Sequence, residues 1–91
     1  NQANGGVRIA PPAVALPADA NERFIALRTW RAEAARAQNV PAYVIFHDST
    51  LRAIAEADPG DLDELSTIAG VGSSKLDRYG EAVLQQLFDA A

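Results

Sequence analysis

Cysteine is absent from this 91-residue chain, and histidine occurs only once, as His47. Without cysteine the chain cannot form a disulfide, a reactive thiolate or a cysteine-ligated zinc site. A single histidine cannot build a histidine metal cluster either. We therefore expect neither a metal nor a cofactor.

An excess of basic residues is also missing. The chain has 8 lysines and arginines against 12 aspartates and glutamates, which gives a net charge of −4. Proteins dedicated to nucleic acids usually carry a basic excess, because phosphate contacts supply much of their affinity. Any contact with nucleic acid is therefore expected to be local and weak.

Long apolar runs are lacking as well. No stretch approaches the roughly 20 residues needed to cross a membrane, and the first residues do not show the charged-then-apolar pattern of a signal peptide. The length suits one small domain with a single core. We expect a soluble piece of a longer protein.

The first part of the chain, residues 1–20, is predicted to be a linker or extended arm. Gly5 and Gly6 favour flexibility, and prolines at positions 11, 12 and 17 disfavour a helix. We expect part of this arm to lie across a groove, on its own domain or on a neighbouring copy, and a disordered tether is the alternative. Apolar residues spaced by two, the period of an extended strand, are Val7 and Ile9, then Val14 and Leu16.

A long helix is predicted from near Ala20 to about Gln38, because the segment is rich in helix formers and has no glycine or proline. Asp19 and Glu22 have the spacing of a capping box. Trp30 is interpreted as a core anchor, since a single tryptophan on a helical stripe usually packs in the core. The apolar stripe consists of Phe24, Leu27, Trp30 or Arg31, Ala34, and Ala37 or Gln38.

The middle of the chain is predicted to hold two short helical pieces. The chain turns at Asn39-Val40-Pro41, because asparagine accepts left-handed geometry and proline disfavours a helical residue before it. Residues 42–46 are either a buried strand or one helical turn, and the absence of a second strand signal favours the turn. Asp48 or Ser49 is expected to cap the next helix, which ends before Asp58. Its apolar face consists of Leu51, Ile54 and Ala55.

A glycine joint connects the last two predicted helices. The first of them is capped by Asp61 with Glu64 at the third position, and its apolar steps are Leu62, Leu65 and Ile68. Gly70-Val71-Gly72 then lets the chain reverse tightly, with Ile68 and Val71 turned inward. One of the two serines at positions 73 and 74 is expected to cap the last helix.

The last helix completes an all-α fold. Gly80 in its interior indicates close approach of another helix. We predict a compact bundle of about five helices with a helix-hairpin-helix-like joint over residues 21–91, preceded by the arm. The stripe of the last helix is predicted to consist of Leu76, Tyr79, Val83, Leu84, Leu87 and Phe88.

No constellation of catalytic residues is found. His47 stands beside Asp48, but adjacent residues rarely face each other usefully and no nucleophile accompanies them. The carboxylates within residues 58–64 lack the ligand array of a calcium loop, so we expect them to cap a helix and complement its dipole. Residues 70–75 have neither the spacing of a phosphate-binding Walker loop nor a strand before it, which argues against nucleotide hydrolysis.

The remaining constellation is cationic. Basic residues on the first helix and after the glycine joint accompany one tyrosine on the segment between them. An aromatic ring flanked by cations is the minimal equipment for binding single-stranded nucleic acid. The alternative is that the arginines solvate a helix face or pair with acids, and that the tyrosine is half buried. The candidate DNA-binding residues are Arg28, Arg31, Tyr43, Lys75 and Arg78.

Four stretches of the sequence, taken together and in order, resemble one known family. They are Leu27-Arg28-Thr29-Trp30-Arg31, residues 39–46, Asp48-Ser49-Thr50-Leu51, and residues 65–72 followed by Lys75-Leu76 and Tyr79-Gly80. This order is similar to that of the HRDC domain, the helicase-and-RNase-D C-terminal module of RecQ-family DNA helicases and of RNase D. The resemblance covers about residues 22–87, so the arm falls outside it.

The resemblance implies a compact helical domain without catalytic activity of its own, attached to an ATP-driven motor. We expect an accessory domain of a bacterial RecQ-type helicase, active in DNA repair and recombination, that modulates how the motor binds single-stranded or structured DNA. The family associates DNA contacts with basic residues of the first helix and with the segment that holds the tyrosine. These correspond to Arg28, Arg31 and Tyr43, with Lys75 and Arg78 as further candidates.

Two alternatives stay open. One is a protein-interaction module that docks on its own helicase core, on a sister copy or on a repair partner. The other is the HRDC domain of an RNase D-type exonuclease. The expected partners are weakly bound DNA and the parent core or another protein surface, without a membrane. We expect a monomer, with the arm as a route to self-association, in the bacterial cytoplasm at the nucleoid.

Overall fold

A computed structural model describes residues 16–91, and these form five helices without a strand. The all-α prediction is therefore confirmed, including one helical turn instead of a strand after the first helix. The alternation of Val7, Ile9 and Val14 lies outside the described residues. The helices are α1 Ala18–Gln38, α2 Ala42–Ile45, α3 Asp48–Ala57, α4 Leu62–Ser66 and α5 Ser73–Ala90.

Every helix contributes to one apolar core. The expected face of α3 is buried, and Ile68 and Val71 turn inward at the glycine joint as predicted. Among the helices of residues 16–91, none combines the length and the apolar character required to cross a membrane. The largest fully buried side chains are Leu27 of α1, Ile45 of α2, Leu51 and Ile54 of α3, Leu65 of α4 and Val83 of α5.

Contacts of α1 define the two ends of the bundle. Arg23, near its start, donates from Nε to the carbonyl of Ala55 near the end of α3. Arg31, just over two turns later, donates to the carbonyl of Phe46 just before α3. Gln38, the last residue of α1, bonds to the hydroxyl of Tyr79 in the second turn of α5. The end of α1, α2 and the starts of α3 and α5 therefore share one end of the bundle.

The glycine joint depends on its first glycine only. Gly70 has a φ of 94°, and a Cβ there would overlap Oγ1 of Thr50. Gly72 has a φ of −80°, which any residue adopts, and a Cβ there would meet nothing within 4 Å. The expectation that both glycines are needed for the reversal is therefore wrong for Gly72.

Three of the four predicted helix caps are wrong, because these helices begin earlier than their polar residues suggested. The first helical bond of α1 is accepted by the carbonyl of Pro17, and that of α5 by the carbonyl of Gly72 rather than by a cap at Ser73 or Ser74. In α1, Asp19 lies inside the first turn and bonds the neighbouring amide, so no capping box forms.

The other two caps concern α3 and α4. His47 takes the cap position of α3, and its side chain makes no capping bond. Asp48 lies inside the first turn, where its carboxylate pairs with Arg31 instead of capping the helix. Asp61 does cap α4 as predicted, since its Oδ1 accepts from the amide of Glu64 at 2.8 Å. Asn39 also ends α1 in the predicted left-handed conformation, with φ of 60°.

The stripe of α5 is confirmed except at its last member. Tyr79, Val83 and Leu87 are buried, but Phe88 is 78% exposed. Phe88 lies near the end of α5, where the shorter neighbouring helices do not cover it. Gly80 does mark the predicted close approach, because a Cβ there would lie 2.7 Å from Cδ2 of Leu62 in α4.

Candidate nucleic-acid interface

The short helix α2 determines which way Tyr43 points. Pro41 is the cap residue of α2, with the extended backbone that the chain needs to leave the end of α1. Within one helical turn, Ile45 and the following Phe46 are buried, whereas Tyr43 and Val44 face outward. Tyr43 is 62% exposed, so the alternative of a half-buried core tyrosine is not what the fold produces.

A cluster of three aromatic rings supports α2 from below. The Trp30 ring lies 6.2 Å from the Phe46 ring and 5.7 Å from the Tyr79 ring, and the last two are 5.9 Å apart. Tilted and edge-on pairs at these distances are favourable arrangements for aromatic rings. Trp30 therefore packs against the core as predicted, and the backbone beneath Tyr43 is well supported.

Tyr43 has one neighbouring ring on the surface. His47 stacks with it at a centroid distance of 6.0 Å and an interplanar angle of 23°. His47 is exposed at the entry of α3. Its contact with Tyr43 was missed, although the four-residue spacing across the end of α2 was a signal for it.

Lys75 is tied to the same surface by two kinds of contact. Its Nζ donates to the carbonyl of Val44, the residue next to Tyr43. The same ammonium lies 5.8 Å from the centre of the Phe46 ring and 5.9 Å from that of Tyr79, which is within the range of cation–π attraction. The positive charge is thus fixed beside α2, although the lysine comes more than 30 residues later in the chain.

Arg78 extends this cationic region along α5. Its guanidinium lies 5.3 Å from the centre of the Tyr79 ring and donates to Oε1 of Gln38 at 3.3 Å. Arg78 is exposed, so the guanidinium keeps donors that face solvent.

The two candidate arginines of α1 have different environments. Arg28 is exposed, stacks over Phe24 at 5.6 Å, and lines an open cleft of about 330 Å³ together with Ala42 of α2. Arg31 has a side chain only 10% exposed, donates to the carbonyl of Phe46 at 2.9 Å, and pairs with Asp48 at 2.6 Å. Its buried Nε has no hydrogen-bond partner among the described residues. Arg31 thus lies behind the surface and holds α2 and α3 in place.

Tyr43, Lys75 and Arg78 therefore lie around α2 and the start of α5, and Arg28 lines a cleft together with Ala42 of α2. We call this set the cationic surface: Arg28, Tyr43, Lys75 and Arg78. The sequence could not separate Arg28 from Arg31, because a spacing of three residues puts both on neighbouring parts of one helix face.

A second surface, at the other end, combines apolar and acidic side chains. Two adjoining hollows of about 460 and 240 Å³ share Gly60 and Leu84. We call them the acidic groove. Its apolar lining consists of Pro59, Leu62, Leu84 and Phe88, and its rim of Asp58, Asp61, Asp63 and Glu81.

The carboxylates of the acidic groove do not form a metal site. Within residues 16–91, no three histidine, cysteine or acidic side chains lie close enough together to hold an ion. Asp61 caps α4, and Glu64 accepts from the amide of Gly60 at 2.7 Å. Asp61 and Glu64 therefore support the start of α4, as the sequence predicted, whereas Asp58 follows the end of α3 and pairs with Arg23.

The fold is that of a small helical module which presents an aromatic ring among cations. The family description of the HRDC domain matches residues 20–87, and the chain belongs to the HRDC domain family. A solved structure described as D. radiodurans RecQ HRDC domain 3 superimposes with a TM-score of 0.75 at 31% identity, and covers 77% of this chain and 92% of that chain. The resemblance noted in the sequence is confirmed.

Curated relatives come from two kinds of helicase. The chain is 52% identical over 64 residues to the ATP-dependent DNA helicase UvrD2 of Mycobacterium tuberculosis, over 70% of this chain and 9% of that protein. It is 42% identical over 67 residues to the ATP-dependent DNA helicase RecQ of Bacillus subtilis, over 74% of this chain and 11% of the relative. The chain thus spans about a tenth of the length of these helicases. A UvrD2-type relative was not anticipated from the sequence.

Proposed function

We propose that this chain is a non-catalytic accessory domain of an ATP-dependent DNA helicase of the RecQ or UvrD2 type. In this proposal the domain modulates DNA binding by the motor through weak contacts with single-stranded or structured DNA. The observation that carries it is the cationic surface, in which an exposed tyrosine stands next to a fixed lysine and is accompanied by two exposed arginines. The parent would act at the bacterial nucleoid, in the cytoplasm.

Each member of the cationic surface has a defined part. Bases stack on exposed aromatic rings whatever their sequence, and one stacked base contributes about 1 to 3 kcal/mol. Tyr43 offers such a ring, and its 62% exposure leaves room for a base. Arg28 and Arg78 contribute exposed guanidinium donors, and Lys75 contributes an ammonium whose position is fixed by its bond to Val44.

The acidic total limits the affinity without abolishing it. At physiological ionic strength the Debye length is about 8 Å, so carboxylates at the far end of the bundle are largely screened from the cationic surface. One stacked base and three cations account for a dissociation constant on the order of 10⁻⁴ to 10⁻³ M. Such a contact is suited to modulating a motor that holds DNA by itself.

A titration of the ¹⁵N-labelled domain with a short oligothymidine tests this proposal. We expect amide shifts around α2 and the first turns of α5, and weaker binding as salt is raised. Tyr43→Ala should weaken binding about tenfold, because the stacking ring is lost, whereas Tyr43→Phe keeps the ring and should change it less than about twofold.

Phe88 offers a matched control, because it is a second exposed aromatic residue in an acidic setting. Phe88→Ala should leave the affinity for oligothymidine unchanged. Equal losses in Tyr43→Ala and Phe88→Ala, or no amide shift up to about 1 mM DNA, where a contact of this strength must show, would contradict the proposal. Motor or exonuclease motifs in the flanking sequence of the parent would decide between a helicase and an RNase D context.

Docking on the parent core, or on another protein, is the second candidate function. The observation that favours it is the acidic groove, where Phe88 and Leu62 are 78% and 37% exposed. Exposed apolar side chains inside a polar rim are typical of protein contact sites. Binding of the domain to the isolated motor core, lost in Phe88→Ser and kept in Tyr43→Ser, would support this function; the reverse pattern would count against it.

A further inference from the structure

The acidic groove leaves the most exposed large apolar side chain of residues 16–91 without a cover. Phe88 lies beside Leu84 and Pro59, and Leu62 continues the apolar lining toward α4. In α5, Leu84 follows Lys75 by nine residues, which at about 100° per residue places the two on opposite sides of the helix. The groove therefore faces away from the cationic surface and is available for a different occupant.

The rim of the groove selects for positive charge. The larger hollow forms the upper part of the groove and is lined by Asp61, Asp63 and Glu81. The smaller hollow forms the lower part and is lined by Asp58. Among the described basic residues, Arg23 approaches this rim, with Nε 3.7 Å from a carboxylate oxygen of Asp58. The chemistry that fits is an apolar segment with at least one basic residue and no acidic residue.

The arm leaves the domain at this same end of the bundle. Arg23 lies in the second turn of α1 and contacts Asp58, so the start of α1 is close to the lower part of the groove. The chain reaches α1 through Leu16, which is partly buried, and Pro17, which caps the helix. A segment that precedes Leu16 therefore starts beside the groove and not beside the cationic surface.

The arm has the length and the composition that the groove requires. Residues 7–15 span up to about 30 Å when extended, and the groove lies between the segment that leads into α4 and the second half of α5. Residues 1–18 contain one basic residue, Arg8, and no acidic residue. Val7 and Ile9 flank Arg8 and share one side of an extended chain, while the long arginine side chain can reach a carboxylate at the rim.

We propose that residues 7–15 occupy the acidic groove of their own domain, with Val7 and Ile9 against Phe88 and Leu62 and with Arg8 at the acidic rim. The prolines of the segment suit this mode, because contact through side chains needs no backbone donors. The inference is independent of DNA binding by the cationic surface.

A spin label on the arm tests the proposal in the full 91-residue chain. Because the chain has no cysteine, Ala10→Cys provides a single attachment site for a nitroxide. We expect loss of amide signal intensity around Leu62, Leu84 and Phe88, with intensities around Tyr43 unchanged. Phe88→Ser should restore the lost signals, because it removes the apolar contact, and Arg8→Glu should weaken the effect through repulsion by the rim.

Tyr43→Ser is the matched control, since it removes an exposed aromatic ring at the other end and should leave the broadening in place. A mixed sample distinguishes an arm bound to its own domain from an arm bound to a second copy. It contains chains with the spin label but without ¹⁵N, and ¹⁵N-enriched chains without the spin label. Broadening in that mixture would assign the groove to the arm of a second copy and overturn the intramolecular form. Uniform or absent broadening in the labelled chain would overturn the proposal altogether, and neither result would affect the oligothymidine titration.

Discussion

The two ends of the bundle each expose one aromatic side chain, and they differ in everything around it. Tyr43 stands above a cluster of packed rings, beside a lysine that is bonded to the α2 backbone. Phe88 stands near the end of α5, where carboxylates form the rim of the acidic groove. Within residues 16–91, no other aromatic ring packs against it. Exposure alone thus does not define a binding site; the charges and the support of the ring determine which ligand it suits.

The difference also concerns rigidity. At the end with the cationic surface, polar side chains fix the position of α2 and of α5: the buried Arg31 bonds to Phe46, and the exposed Gln38 bonds to Tyr79. At the other end, the contacts around Leu62 and Phe88 are apolar and partly open to solvent. We expect the same kind of substitution to have a large effect at the first end and a small one at the second.

Gly70→Ala should have the largest effect. The φ of 94° disfavours any side chain, and the new Cβ would overlap the buried Thr50 in the first turn of α3. Left-handed strain and overpacking together should lower the free energy of unfolding by about 3 kcal/mol. Thermal unfolding followed by circular dichroism should then show a drop in Tm of roughly 10 to 20 °C.

Gly72→Ser is the control for this prediction. Gly72 has an ordinary φ and open space around it, and serine is a better helix cap than glycine. We expect a gain of about 0.5 kcal/mol in the free energy of unfolding. Losses of similar size in Gly70→Ala and Gly72→Ser would mean that the joint is not constrained by its first glycine.

Arg31→Ala should have the second largest effect. The substitution leaves the carbonyl of Phe46 without its charged donor and removes the packed stem of the side chain. The pair with Asp48 adds less, because that carboxylate is mostly exposed. We expect a loss of about 2 kcal/mol in urea unfolding, with amide shifts throughout α2.

Arg28→Ala on the same helix provides the matched comparison. Arg28 is exposed and makes no comparable hydrogen bond within residues 16–91, so its removal should change the free energy of unfolding by less than about 0.5 kcal/mol. It should instead weaken binding of oligothymidine. If Arg31→Ala weakened DNA binding and left stability unchanged, Arg31 would belong to the cationic surface after all.

Periodicity and chain-breaking residues were sufficient to predict the helices. The steps of Leu51 and Ile54, the proline at position 41 and the glycine joint each correspond to a feature of the fold. Helix starts were predicted less well, because a polar side chain near a helix start can bond elsewhere. Asp48 shows this, since its carboxylate pairs with Arg31, a residue 17 positions earlier in the chain.

The candidate site depended on tertiary contacts that local patterns do not contain. Trp30 and Arg31 are neighbours on one helix, and only the position of α2 determines that the arginine is buried. Lys75 joins Tyr43 because α5 returns to α2, and this pairing has no sequence signal. Phe88 fits the apolar period of α5 but lies where the bundle is not covered. An apolar sequence period identifies which face of a helix is buried. The length over which that face is buried depends on the neighbouring helices.

Gly80→Ala should have the smallest effect, and it gives the most direct comparison with Gly70→Ala. The new Cβ would lie 2.7 Å from Cδ2 of Leu62 and 3.3 Å from Cδ1 of Leu76. Leu62 is 37% exposed, so its flexible end can turn toward solvent, and alanine stabilises a helix interior by up to about 1 kcal/mol relative to glycine. The two effects should cancel to within about 0.5 kcal/mol, with methyl shifts at Leu62. In a Leu62→Ala background, which removes the nearer of these two methyl groups, Gly80→Ala should be clearly stabilising. A loss as large as that of Gly70→Ala would show instead that both ends of the bundle are packed with the same rigidity.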